Sequence, residues 1–239
     1  MQLTTELPRT PAPRLILRFV GLELGALARR AARALGINRP TPVALEDIAI
    51  PDSDLVAKAT TLARGCEPDF LFNHSVRTYL FGRAIGRQLG LKPDPELLYL
   101  ASILHDLALT PDYDNDGSFE INGARAAREW LSRHGVDDGR ADLVHEAIAL
   151  HTAVGIAGSR EPEIALTHFG AGVDVIGFHS EDLAAETQSD IVNAWPRARF
   201  KTEFPKLIED QAIRKPACHI AGHFGLGFND KIAGAPFAD

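Results

Sequence analysis

The chain has 239 residues, 45% of them apolar, and a formal net charge of −7. That length suits one generous domain, or a domain with an appendage, and supplies enough apolar side chains for a substantial core. The negative balance argues against a nucleic-acid or anionic-membrane partner, and Cys66 and Cys218, far apart and outside any Cys-x-x-Cys string, fit a reducing cytoplasmic compartment rather than a disulfide framework.

The first residues are acidic and proline-rich (Glu6, Pro8, Pro11, Pro13), unlike a secretory leader. Residues 14–35 read as an amphipathic helix, with Leu15, Phe19, Leu22 and Ala26 at helical spacing; Gly36 stops it and 38–42 form a linker. This helix is expected to pack on the body or on a second subunit, which leaves a homo-oligomer open. Its apolar run is broken by Arg18 and Glu23, and no segment reaches the roughly 18 apolar residues of a membrane span. The expected division is 1–42 as helix and linker, and 43–239 as the main domain with a C-terminal extension.

From residue 53 the pattern is helical almost throughout. Ser53 or Asp54 caps a helix ending near Gly65, and another runs from Pro68 to Gly90. Pro95 opens a helix expected to carry His105 and Asp106, followed by helices over 121–134, 139–152, 161–178 and 181–195. No stretch sustains the period-two alternation of a strand, and the tail from Pro216, rich in glycine, reads as an ordered loop wrapping the body. The fold class is all-α.

Four of these helices each offer a ligand-type side chain among apolar neighbours: His74, preceded by Asn73; the pair His105-Asp106; His151; and Asp174. Buried charge is costly unless something binds it, and neutral imidazoles with carboxylates on a rigid frame are what a divalent metal needs. A lone histidine in a helix is usually an ordinary core or surface residue, but the ordered set His, His-Asp, Asp is far more specific.

This set resembles the metal-binding signature of the HD superfamily, all-α metal-dependent hydrolases and lyases. More narrowly, Phe72-Asn-His-Ser-Val-Arg77, Leu104-His-Asp-Leu107, Ser118-Phe-Glu120, Asp174-Val-Ile-Gly177, Val43-Ala-Leu-Glu-Asp-Ile48 and Lys215-Pro-Ala-Cys-His219 resemble the cyanamide hydratase branch, over roughly residues 43–235. The resemblance implies an HD-domain helical bundle with an extra N-terminal helix. It also implies a metal held by His74, His105, Asp106 and Asp174. Where HD proteins with two metals place a His-x-x-Gly-Ala string and a later His-His pair, this chain has Glu120-Ile-Asn-Gly-Ala and Leu150-His-Thr152. One divalent ion is therefore expected: zinc first, with Fe2+ or Mn2+ also suited to such donors.

No Lys or Arg falls between Lys92 and Arg125, whereas a phosphate-ester pocket usually wants cationic donors. Arg77, one turn after His74, is the one cation able to serve. A small neutral nitrile is the better substrate: an open metal position lowers the pKa of bound water to about 7, and hydroxide attacks the nitrile carbon of cyanamide to give urea through isourea. Glu120 and His151 are candidates for moving protons or orienting substrate, and Asn73 for orienting His74 or donating to substrate. The alternative is an HD phosphohydrolase acting on a nucleotide monophosphate; a third reading is a metal-stabilised helical assembly module without catalysis.

Three further features read as incidental. Asp112–Gly117 matches half an EF-hand loop but has Gly123 where the bidentate Glu belongs, leaving a mobile acidic loop as the expectation. His219 and His223 are four apart, but Gly222 argues against a helix there, and His134, His145 and His168 look ordinary.

Overall fold

The computed structural model describes residues 2–37 and 39–239; Asn38, in the expected linker, lies outside the described residues. Among these residues there are eleven α-helices and no strand. The first nine are α1 (Ala12–Ala34), α2 (Asp54–Cys66), α3 (Asp69–Leu89), α4 (Pro95–Leu104), α5 (Phe119–Arg133), α6 (Asp138–Leu150), α7 (Pro162–Ile176), α8 (Ala185–Ala194) and α9 (Phe200–Arg214). Short helices α10 (His219–Phe224) and α11 (Phe228–Ala233) close the chain.

Local chemistry sets many of the ends. The side chains of Ser53, Asp94, Ser118 and Asp137 accept from backbone amides in the first turns of α2, α4, α5 and α6. Gly90 and Gly177 take the left-handed conformation that ends α3 and α7.

α3 is the central helix, buried almost all round, as a helix enclosed by others must be. It runs antiparallel to α7 at unusually close range. A Cβ on Gly170 would collide with the carbonyl oxygen of Thr78, and one on Gly82 would sit 2.6 Å from that of Leu166. These contacts form rungs one helical turn apart, and the next rung along is His74 against Asp174. Glycine in the middle of these helices weakens them locally and is what lets the two backbones, and hence the two site residues, come together.

Three sequence expectations change. His105 and Asp106 do not lie within a helix: His105 is the C-cap of α4, and Asp106 leads into a 3-10 turn, Leu107–Leu109. The helix series does not end at 195, since α9 continues through an internal Pro205, a residue that hides a helix from pattern reading. The tail is not a loop throughout, since half of it is helical, and α10 places Gly222 inside a helical turn against which Arg9, Thr10 and Leu15 pack. Among the described residues no helix is long and apolar enough to cross a membrane.

α1 docks on the body through buried Leu15 and through Arg29 and Arg33, which bind Glu181 and Asp182. The segment before it lies along the body, with the Arg9 amide donating to Ala217 (2.9 Å) and the Thr4 hydroxyl to Glu146 (3.0 Å).

Candidate metal centre

Three side chains converge in the interior. Nε2 of His74 lies 3.2 Å from Nε2 of His105, and Oδ2 of Asp106 lies 3.6 and 3.2 Å from those two nitrogens. All three residues are buried. They are the group, among the described residues, whose donor atoms approach closely enough to share one ion.

The hydrogen bonds on the far side of each ring fix what the near side offers. Nδ1 of His105 is 2.7 Å from the Ser102 carbonyl, which can only accept, so Nδ1 carries the proton. Nδ1 of His74 is 2.7 Å from Oδ2 of Asp174, with the same consequence. With a proton on each Nδ1, both Nε2 atoms turn toward one point, where each can bind a proton or a metal ion; against the lowering effect of burial, Asp106 alongside raises the pKa of His105. Both oxygens of Asp106 are buried without a hydrogen-bond donor. A cation satisfies all of these at once. Donors about 2.1 Å from a tetrahedral ion stand about 3.4 Å apart, close to the edges seen here.

Asp174 is not a fourth member of this corner. It sits behind His74, its oxygens taken by Nδ1 of His74, by Nε and Nη2 of Arg77 (2.8 and 2.7 Å) and by Nη1 of Arg197 (2.7 Å). Burial would raise its pKa, but Arg77, His74 and Arg197 together hold the carboxyl well below the usual range. It stays ionised, and a carboxylate–histidine pair of this kind orients a ligand ring and raises its basicity. Arg77 also donates to the carbonyls of Trp195 and Pro196, so it is committed to the frame and faces no substrate.

The remaining candidates separate. His151, the C-cap of α6, places Nε2 3.7 Å from Oδ1 of Asp106 while Nδ1 bonds the Ile148 carbonyl at 2.6 Å. Burial and the neighbouring His105 depress its pKa to about 3, leaving a neutral ring with an acceptor nitrogen beside the centre. Asn73 turns away and donates to the Pro196 carbonyl at 2.8 Å. Adjacent residues on a helix point about 100° apart, and with His74 aimed inward Asn73 is turned toward Pro196 and does not line the cavity described below.

Glu120 is buried beside the centre. Its Oε1 accepts from the Thr152 hydroxyl at 2.8 Å, and its Oε2 has no donor. Burial raises its pKa to about 7, against the lowering pull of its hydrogen bonds. For Asp106, the imidazoles of His105, His74 and His151 outweigh the raising effect of burial and bring its pKa to about 2.

A cavity of about 60 Å³ opens onto the cluster, with His74, His105, Asp106, His151 and Thr152 at its polar end. Its walls include Phe204 of α9, Val175 of α7 and Phe19 of α1, and no Lys or Arg lines it. Several contributors carry no sequence signal. Arg197 sits in a short basic stretch like any other, and Phe19 is one apolar residue of a peripheral helix. His168 and His223, read as ordinary, both line the cavity; His168 also bonds the His151 carbonyl through Nδ1 at 2.6 Å, supporting the turn that aims His151. The four-residue spacing of His219 and His223 was the available signal, since their Nε2 atoms lie 3.2 Å apart. The acidic loop is tied down, with Asp114 bound by Arg214, Lys215 and Gln211.

Residues 71–176 match the HD domain family. Over 201 residues the chain is 26% identical to cyanamide hydratase DDI2 of Saccharomyces cerevisiae, and equally to cyanamide hydratase DDI3 of the same yeast; each alignment covers 82% of this chain and 88% of the relative. Residues 71–176 thus match the HD domain family around a His-His-Asp corner that could hold a metal ion, and over most of its length the chain is similar in sequence to the yeast cyanamide hydratases.

Proposed function

We propose that the protein hydrates the nitrile of cyanamide to urea at a single metal ion, zinc in first place, held by His74, His105 and Asp106. The reading rests chiefly on the cavity: a space for a few water-sized groups, free of cationic side chains and open to the metal corner. Cyanamide, with three non-hydrogen atoms, suits such a space. A nucleotide monophosphate is far larger and would bring a phosphate with no Lys or Arg to meet it.

A bound divalent ion would supply Lewis acidity and lower the pKa of a water to about 7. The chain's own residues do the rest. Asp174 holds His74 in its ligating tautomer, as the Ser102 carbonyl holds His105. The acceptor Nε2 of His151 is placed to receive a hydrogen bond from the amino group of cyanamide or from the attacking water. Thr152 lines the cavity and touches Glu120, so it is the link through which a carboxyl with a pKa of about 7 exchanges a proton with the reacting atoms. Water adds across the carbon–nitrogen triple bond, one proton passes to the terminal nitrogen, and the isourea formed tautomerises to urea. The apolar walls exclude further water and nucleophiles.

Purified protein loaded in turn with zinc, iron(II) and manganese(II), then incubated with cyanamide, should form urea in step with cyanamide loss. Phosphate release from nucleotide monophosphates, with no urea under any loading, would replace this reading with the phosphohydrolase one.

A further inference from the structure

α1 is apolar on the side that faces away from the protein. Its inner face is already engaged through Leu15, Phe19, Arg29 and Arg33. The opposite face shows Leu17, Val20, Leu24 and Leu27 to solvent, at 73, 48, 62 and 57% exposure. Single exposed apolar residues are ordinary, but four in register on one helix are not. Their spacing, continued by Ala31 and Ala34, alternates three and four residues, the rhythm of the a and d positions of a coiled coil.

We infer that this face is the seam of a homodimer, in which α1 pairs antiparallel with α1 of a second copy about a two-fold axis between Leu24 and Leu27. The sequence of the face is complementary to itself in that arrangement. Leu24 packs on Leu27 of the other copy at the centre. Val20 then meets Ala31 and Leu17 meets Ala34, a large side chain against a small one in each outer layer, so the helices can close to the usual 8–10 Å. Glu23 and Arg30 occupy the same flank of the seam, and the antiparallel register sets Glu23 of each copy beside Arg30 of the other, twice by symmetry. A parallel pairing would set Glu23 beside Ala28 instead, so charge selects the antiparallel arrangement. Within one chain Arg30 is exposed and has no hydrogen-bond or ion-pair partner among the described residues, while Glu23 has an exposed contact with Lys231 (3.1 Å).

A membrane surface is the poorer occupant. The flank carries Glu23, and two of the helix's arginines, Arg29 and Arg33, are spent on Glu181 and Asp182. Because Phe19 and Leu22 of the same helix line the cavity, the dimer seam and the cavity wall are two sides of one element.

Light scattering and sedimentation of the full chain at micromolar concentration test this. The expected mass is twice that of the chain, falling to one chain in the Leu24→Glu/Leu27→Glu variant with its helical circular dichroism unchanged. Arg30→Glu alone should weaken the dimer about tenfold, and Arg30→Glu with Glu23→Arg should restore it. A wild-type chain that stays monomeric, whether or not it sediments with anionic phospholipid vesicles, overturns the proposal. So does a dimer that survives the double Leu substitution, or a charge-exchanged variant that remains as weak as Arg30→Glu.

Discussion

Asp174 lies 2.7 Å from Nδ1 of His74, on the side of the ring opposite the ligand corner, and is gripped there by Arg77 and Arg197. It serves the centre by orienting a donor, and it is also the carboxylate shared by two buried guanidinium groups, of which Arg197 has a longer contact with Asp239 as well (3.7 Å). Asp174→Asn should therefore act twice. Metal affinity, by titration against a chelator, is expected to fall about 10–100-fold. Unfolding free energy is expected to fall by about 3–5 kcal/mol, because buried Arg77 loses its carboxylate and Arg197 is left with only the longer contact to Asp239. A variant with wild-type stability would show that the arginines find other partners.

Asp106→Ala removes a donor from the corner itself. The purified variant should contain no stoichiometric metal by elemental analysis, and added zinc should no longer raise its melting temperature, since binding energy to the native state is folding energy. Full metal content would mean that the corner is not the site.

Thr152→Val removes the hydroxyl that joins Glu120 to the cavity but leaves the three donors intact. Metal content should be unchanged while kcat for cyanamide hydration falls by about 10²-fold, the lower range for loss of proton transfer. Unchanged turnover would detach Glu120 from the chemistry.

Two buried groups give opposing pH slopes in the metal-free protein. Glu120 has its pKa raised from 4.5 to about 7, so between those values the folded state holds a proton the unfolded chain has released, and stability falls as pH rises. His168 has its pKa lowered by burial from 6.5 to about 4, so across that interval the unfolded chain binds the proton, and stability rises with pH. Each slope approaches about 1.4 kcal/mol per pH unit at most. Urea denaturation of chelator-treated protein from pH 4.5 to 6.5 should show a steeper rise with pH for Glu120→Gln, and a shallower rise or a fall for His168→Gln. Parallel curves for the three proteins would show that neither group is held as buried as the structure has it.

Gly170→Ala would drive a methyl group into the Thr78 carbonyl, one turn from the His74–Asp174 contact. A loss of about 1–3 kcal/mol or more is expected, with weakened metal binding as α3 and α7 move apart. Gly65→Ala in α2 meets nothing within 4 Å and serves as the control, neutral or slightly stabilising. Equal effects of the two substitutions would deny the close crossing.

The sequence by itself determined the kind of fold and the core of the centre. Apolar periodicity, capping residues and terminal glycines are local signals, read within one helix. The order His74, His105-Asp106, Asp174 names a metal chemistry whatever the packing. Tertiary structure alone decided where each side chain went, because periodicity fixes direction only relative to a helix's own axis. The glycine crossing of α3 and α7 put Asp174 behind His74 rather than beside it and turned Asn73 away. The end of α4 at Leu104 carried His105 and Asp106 out of the helix into a turn. The wall residues Phe19, Phe204 and His223 come from three helices remote in the chain, and no pattern within any one of them records that they share a cavity.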